Sequence, residues 1–440
     1  MNRAHRHLVF GAVLAVVLPP WLAAASPDAA DLDRRVQAAV EKLAPSMVEI
    51  RHRLHQNPEL SNREVETAKL VERHLRSLGL QPTTGVAHTG VVAVLEGGRP
   101  GPLVAVRADM DALPVTEDAP FPFKSTARST YLGQDVGVSH ACGHDIHVAV
   151  QLGVASVLAA MKEDVPGKIQ LIFQPAEEGP PPGEEGGARL MLREGLWKDA
   201  KPEAVFGLHA RVAADVGTVE YAPGPLLAAA DSFRVVIKGT PAHASRPELS
   251  VDPIVVAAQV IEAFQTIRSR NVHPLSASVL TVGLIRGGQR RNIIPSEVEM
   301  EGTVRTLDKA VQDLVERRMR EILDGVTRAA GATYAFEYER GYPLTVNDAD
   351  LTAATLPSLQ RVLGQQNVRR IDPILGGEDF SLFANETPGF FYFLGALKPG
   401  TTSGDHHTPT FLADDGAVPV GMRAMSTVLL DYLRRASANR

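Results

Sequence analysis

Apolar positions along this chain follow two patterns, and the switch between them divides it. Asn62 to Leu78 (NREVETAKLVERHLRSL) carries apolar residues at helical spacing and stops at Gly79, which suits a left-handed cap. Val148 to Met161 (VAVQLGVASVLAAM) is apolar on every side and reads as a buried helix. Around these lie short continuous apolar runs, Leu103 to Ala108, Lys168 to Gln174 and Ala204 to Leu208. Runs without alternation mark strands buried on both faces. Set between helices, they predict an α/β fold with a largely parallel sheet.

The middle of the chain alternates instead. Asp231 to Gly239 (DSFRVVIKG) reads as a half-exposed strand. Asp252 caps a helix with Pro253 at its first position, running to about Arg270. Strands follow over Ser276 to Arg286 and Val298 to Leu307, then a helix from Asp308 to near Gly331, then a strand over Thr333 to Glu339. This βαββαβ order is the ferredoxin-like arrangement. It predicts a domain over 229–343 inserted into a larger α/β unit formed by 26–228 and 344–440, since Leu375 to Phe393 returns to loop and strand character. Pro180-Pro181-Pro182-Gly183 is a rigid, exposed excursion.

Composition narrows the class. A chain of 440 residues suggests about three domains, or two with one large. With 44% hydrophobic and 22% charged residues it has the makeup of a soluble globular protein. A formal net charge of -6 and 5% aromatics argue against a nucleic-acid partner. Residues 1–25 read as a secretory signal peptide: Arg3 and Arg6, an apolar core from Leu8 to Leu18, Pro19-Pro20, then Ala23-Ala24-Ala25. That core is too short to span a bilayer. The mature chain is therefore expected to be exported, periplasmic or secreted, with no membrane association after cleavage. The single cysteine, Cys142, permits no intrachain disulfide.

An exported protein with one thiol needs a reason for it, and Cys142 sits among His140, His144, Asp145 and His147. A lone thiol in an oxidising compartment is a liability unless it is buried or ligates a metal. Other chemistry-bearing residues also gather where apolar strands end: Asp109 and Asp111, Glu177 and Glu178, His209, and late in the chain His406 and His407. Open α/β sheets build their sites beyond the carboxyl ends of strands. Cys, His and Glu together suit borderline divalent ions such as zinc, manganese or cobalt. Five or more such ligands exceed the needs of one four-coordinate ion, so two ions sharing a ligand are expected. Of the adjacent Glu177 and Glu178, one can face a metal and the other a water whose proton it takes.

The strings RADMDALPV (107–115), HACGHDIH (140–147), FQPAEEG (173–179), GLHA (207–210), RNIIP (291–295), EGTVRT (301–306), GGEDF (376–380) and HTPTF (407–411) resemble the metal-dependent amidohydrolases that cleave N-acyl amino acids. Hippurate hydrolases, indoleacetyl-amino acid hydrolases and aminoacylase/carboxypeptidase metallopeptidases belong to that group. The resemblance implies a two-metal, aminopeptidase-like α/β catalytic domain carrying an inserted ferredoxin-like lid that forms a homodimer. It also implies two divalent ions per chain, Zn2+ or Mn2+ with Co2+ as a third choice. By position, Cys142 resembles the bridging ligand, His144 and His209 the ligands of one ion, and Glu178 and His407 those of the other. His407 is preferred to His406 because it stands two residues before Pro409; His406 is expected to point away. Glu177 resembles the general base. His243 resembles a lid histidine that stabilises the oxyanion, often across the dimer. Asn292 and Arg305 resemble residues that hold a substrate carboxylate, although Arg290 or Arg291 could do so. Asp109, Asp111 and Asp145 are expected to orient the ligands.

Two departures stand out. Pro241 and Arg246-Pro247-Glu248 flank His243 in place of the family's usual glycines and further histidine, and the insertion Pro180 to Glu185 is expected to reshape the rim of the substrate pocket. The resulting expectation is an exported hydrolase of amide bonds next to a free carboxylate. A carboxypeptidase or dipeptidase with the same site is the near alternative. A non-catalytic metal-binding or receptor protein on this scaffold is the remote one, and the intact Glu177 argues against it. No G-x-S-x-G string supports a serine hydrolase.

Overall fold

The computed structural model describes residues 27–438 and 440. The leader segment read over residues 1–25 lies outside them. Among the described residues, no helix is long and apolar enough to cross a membrane.

The larger of two main sheets has eight strands. From edge to edge they are Thr83–Val86, Gly90–Glu96, Pro166–Gln174, Arg99–Asp109, Val205–Asp215, Gly389–Leu397, Val219–Tyr221 and Val368–Arg370. The three central pairings, from Pro166–Gln174 across to Gly389–Leu397, are parallel. Side chains of these strands alternate between two apolar layers. Leu171, Phe173, Phe390, Tyr392 and Leu394 join one core; Ile172, Phe391 and Phe393 join the other. Both faces being buried explains why these runs lack polar alternation in the sequence.

The first core lies under the helices Pro27–Gln56, His144–Ala160 and Ala417–Ala438, which pack on one another. His144–Ala160 is buried from His144 to Leu158, so its apolar surface needs no solvated stripe. It begins four residues earlier than its apolar run. Gly143 takes φ +86, and an added Cβ there would meet Ala210 Cβ at 3.1 Å. That left-handed residue turns the chain directly from Cys142 into the helix, placing His144, Asp145 and His147 inside its first turn. The second core lies under the short helices Gly187–Arg193 and Phe380–Glu386. Phe380–Glu386 falls within a stretch expected to be only loop and strand. Its seven residues are too few for a periodic signal.

The second sheet is antiparallel, in the order Ser278–Gly287, Glu297–Thr306, Ala229–Lys238 and Thr333–Tyr342. The helices Pro253–Thr266 and Lys309–Ala330 share a core with one of its faces through Val235, Ile237, Val260, Phe264, Met300 and Met319. Asp252 Oδ1 accepts from Ile254 N, and Asp308 Oδ1 accepts from Val311 N, so both helices start at the aspartates read as caps. Where the chain leaves the larger sheet and returns to it, Gly224–Leu227 and Thr345–Asn347 pair antiparallel.

Candidate metal centre

The site is built at the carboxyl ends of the central parallel strands. Arg99–Asp109 ends in Asp109, and Pro166–Gln174 leads through Pro175 and Ala176 into Glu177 and Glu178. Ala176 sits at φ +52, a left-handed kink that turns the chain back toward the site. Asp111 anchors the two glutamates beyond that kink. Its Oδ1 accepts from Glu177 N at 3.1 Å, its Oδ2 from Glu178 N at 3.0 Å and from Ser61 Oγ at 2.8 Å. One buried carboxylate thus holds the backbone of both glutamates, leaving their side chains free to diverge.

Two sets of three donors share one atom. Cys142, His144 and His209 bring one ligand atom each within 4.8 Å of one another, and so do Cys142, Glu178 and His407. Cys142 Sγ stands 3.4 Å from His209 Nε2. Nδ1 of His144 faces the carbonyl oxygen of Asp111 at 2.8 Å, which leaves Nε2 for a ligand, and that nitrogen is buried without a partner. His407 Nε2 lies 3.0 Å from Glu178 Oε1, yet that oxygen has no aligned donor. Orphaned donor atoms converging from thiol, imidazole and carboxylate fit two borderline divalent cations with Cys142 between them.

The electrostatics point the same way. Burial, then Glu178 and Glu177, pushes the Cys142 thiol well up. Burial, then Glu378 and Glu178, raises the Glu177 carboxyl strongly. Burial and the nearby His147 and His406 hold His209 neutral. Such a concentration of buried acids favours bound cations, which would stabilise the ionised thiol and carboxylates.

A cavity of about 570 Å³ opens onto Cys142, Glu177, Glu178, His209 and His407, with Arg305 on its wall. Arg305 therefore reaches the centre from the four-stranded sheet. His243 and Asn292 do not line this cavity. They lie exposed on neighbouring segments, where His243 pairs with Ile293 and Ala244 N donates to Asn292 O. A larger groove, of about 860 Å³, runs beside Thr83, Val94 and Lys198 at the sheet's far edge. None of the metal-ligand clusters found among the described residues lies there.

Several expectations need correction. His209 does not end its strand; it lies within Val205–Asp215, opposite Phe393, because pairing with Gly389–Leu397 carries the strand past its apolar run. Asp145 does not touch the ligand set. Its Oδ2 accepts from Arg51 Nε and faces His55 Nδ1, each at 3.0 Å, because the first helical turn carries it toward the N-terminal helix. His406 does not point away. His406 and His407 occupy a turn, with His407 at φ +64, so the opposed faces of extended backbone do not apply. His406 lines the same cavity, its Nε2 2.9 Å from Ala210 O and its ring 5.5 Å from that of His209. Asp109, by contrast, stands beside the ligand set as expected: its Oδ1 lies 3.9 Å from His144 Nδ1 and meets His147 Nδ1 at 2.5 Å, and His147 Nε2 accepts from Ala210 N at 2.7 Å, beside His209.

Four more residues at the centre, Arg107, Glu378, Asp379 and Tyr342, are not picked out by the strand-end pattern of candidate ligands. Arg107 is buried and bonded to Gln174, Asp109, Glu378 and Asp379. Glu378 and Asp379 form a further acidic cluster with Glu177. These three lie inside RADMD and GGEDF, so the family-like strings are the signal that could have found them. Tyr342, whose hydroxyl donates to Glu177 O at 2.7 Å, lies in no such string.

Residues 105–431 match peptidase family M20/M25/M40. The chain is 39% identical to an N-acetyl-L-cysteine deacetylase of Bacillus subtilis over 380 residues, 86% of this chain and 85% of the relative. It is 36% identical to thermostable carboxypeptidase 2 of Saccharolobus solfataricus over 406 residues, 91% of this chain and 99% of that one. A solved structure from Bacillus subtilis, described as a dinuclear metal-binding peptidase of the M20 family, superposes with a TM-score of 0.76 at 33% identity, covering 90% of this chain and 99% of its own. This chain belongs to peptidase family M20/M25/M40, and is a metal-dependent hydrolase of amide bonds.

Proposed function

We propose that the protein is an exported hydrolase of N-acyl amino acids and similar amides that carry a free carboxylate, working with two divalent ions. The observation that carries this reading is the pair of donor triads meeting at Cys142, with Glu177 beside them and Arg305 on the wall. Cys142, His144 and His209 would hold one ion, and Cys142, Glu178 and His407 the other. Bound there, the ions would polarise the scissile carbonyl and make a water more acidic.

The chain's own groups supply the rest. Glu177 takes a proton from the attacking water and delivers it to the leaving nitrogen, a role open to a carboxylate that borders the same cavity as the donor set. Arg305 pairs with the substrate carboxylate, with Asn292 assisting. His243 donates to the developing oxyanion from a second copy of the chain, which is how an exposed histidine outside its own cavity can act. The homodimer would form through the inserted domain over 229–343. The charge requirement at Arg305 serves an N-acyl amino acid and a peptide C-terminus alike, so a carboxypeptidase or dipeptidase is the second reading, favoured by the carboxypeptidase relative.

A screen of N-acyl amino acids and dipeptides, with zinc, manganese or cobalt restored after chelation, tests the proposal. Hydrolysis of N-acyl amino acids above dipeptides supports the first reading. Activity on neither class overturns both.

A further inference from the structure

The strand Thr333–Tyr342 loses its alternation just before its end. Tyr334, Phe336 and Tyr338 pack toward the two helices of the inserted domain, and Arg340 pairs with Asp313 and Glu316 on the helix Lys309–Ala330. On unbroken alternation Tyr342 would face those helices too. A register shift intervenes. Arg340 is the partner of Asp231, but Tyr342 is the partner of Ala230, so Gly341 is an extra residue. A Cβ on Gly341 would collide with Ala230 O, a clash that only glycine avoids. One inserted residue reverses the side chains beyond it, so Tyr342 turns to the sheet face that the helices leave bare.

Arg305 is the partner of the same Ala230 on its other side. Directly paired residues share a face, so Arg305, Ala230 and Tyr342 form one row across three strands. Gly377, beside Glu378 at the centre, lies against that row. A Cβ on Gly377 would meet Ala230 Cβ at 2.9 Å, Arg305 Nη1 at 3.1 Å and Tyr342 Cδ2 at 3.6 Å. The bulge is tied to the larger unit as well, because Arg189 Nη2 donates to Gly341 O at 2.8 Å. At the end of the row the Tyr342 hydroxyl donates to Glu177 O at 2.7 Å, while Glu177 N donates to Asp111 Oδ1 at 3.1 Å. Glu177 is thus held at its amide by the larger unit and at its carbonyl by the inserted domain.

We propose that Tyr342 is a positioning residue that sets Glu177, and that its row registers Glu177 and Arg305 against each other across Gly377. One strip of sheet then fixes both the cation for the substrate carboxylate and the base for the attacking water. The proposal rests on the amide-hydrolase reading, in which Glu177 is that base. The hydroxyl bonds the carbonyl of Glu177 and not its carboxylate, so its effect runs through placement of the loop. The same peptide leads into Glu178, so metal content has to be measured beside turnover.

The test is Tyr342→Phe, which keeps the ring and removes the hydroxyl. It is assayed on whichever N-acyl amino acid or dipeptide the metal-restored enzyme turns over fastest. kcat should fall roughly tenfold, within the ~10²-fold that an ångström of misplacement can cost, with KM within about twofold of the parent and metal content unchanged. Amide exchange over residues 175–179 of the full chain should speed up severalfold, since one anchor of that loop is gone. In a Glu177→Gln background the hydroxyl should matter little, because the group it places is absent. Gly377→Ala presses a methyl against the row and should lower kcat and raise KM together, since it displaces Arg305 as well. Thermal midpoints identify any variant that has lost its fold, and the other then decides. The proposal is overturned by a kcat within about twofold of the parent, by loss of metal, by unchanged exchange, by an equal loss in the Glu177→Gln background, or by parent kinetics in Gly377→Ala. Each of those results leaves the hydrolase reading standing. Full turnover in Glu177→Gln itself, or no turnover of either substrate class by the unmodified enzyme, overturns that reading and the proposal with it.

Discussion

The two sheets of this molecule solve opposite problems. The eight-stranded sheet is covered on both faces and buries much of its centre: Asp109 and His144 have no measurable exposure, Glu178 and His209 are half-buried, and His407 is exposed. The four-stranded sheet is covered by helices on one face only. Leu249, Ile254, Val255, Ile285 and Ile293 in its segment are about half exposed, and Leu275 is 91% exposed. Most of the donor atoms that must meet within a few ångströms come from segments packed into this sheet's cores, with His407 joining them from a surface turn. Residues that would meet a second molecule, such as His243, come from a surface. The donor set thus converges within one chain, while only Arg305 of the proposed lid residues reaches it.

Metal removal is the strongest way to break that contrast. Chelation should abolish activity, and Cys142→Ser should weaken both ions, measured by metal analysis after dialysis. Full activity in a metal-free chain would refute a self-contained centre. Glu177→Gln comes next: turnover should fall roughly 10²–10⁴-fold with both ions retained, whereas Glu178→Gln should lose metal as well. Equal metal loss in the two variants would erase the division of labour between the pair. His407→Ala should lose an ion and nearly all turnover, while His406→Ala should keep both ions with a partial loss, since its Nε2 already faces Ala210 O.

The surface half of the comparison is sharpened by mixing chains. His243→Ala should lower kcat more than it raises KM, and heterodimers with Glu177→Gln chains should regain part of the activity. No recovery after verified exchange of subunits would place any action of His243 within one chain.

The smallest expected effect concerns Asp145 and its partners. Burial alone would lower the His55 pKa, but Asp145 and Glu117 outweigh it and raise the pKa to about 9. A folded-state value above the unfolded ~6.5 means stability that is fully present below pH ~6.5 and lost as the pH rises toward 9, on the order of 3 kcal/mol. Urea midpoints of wild type and His55→Gln across that range should converge as the pH rises. Parallel curves would contradict it. Metal content of His55→Gln should stay unchanged, because this cluster does not touch the ligands.

How much of the molecule is legible in its sequence depends on the range of the signal. Runs such as Lys168 to Gln174, and the aspartate caps at Asp252 and Asp308, are local and readable. The ligand positions are readable because most stand close to a strand end or a helix start. The helices Pro27–Gln56, Ala349–Leu363 and Ala417–Ala438 do not stand out in the sequence, though their apolar faces join the first core. The partner of Asp145 is out of reach, since Arg51 lies 94 positions away in the chain. The placement of His406 depends on a left-handed residue at His407, and no glycine signals it.

The short pairing of Gly224–Leu227 with Thr345–Asn347 bears on how the chain folds. About 115 residues separate those strands, and closing a loop of that length as flexible chain costs roughly 4 kcal/mol. The intervening segment has its own hydrophobic core, and its first and last strands lie side by side, Ala230 opposite Tyr342. Once it folds, it holds the two halves of the larger sheet within reach of each other, and the return strand Gly389–Leu397 finds Val205–Asp215 as if it were nearby in the chain. The insertion thereby acts as a staple that shortens the effective contact order of the domain it interrupts.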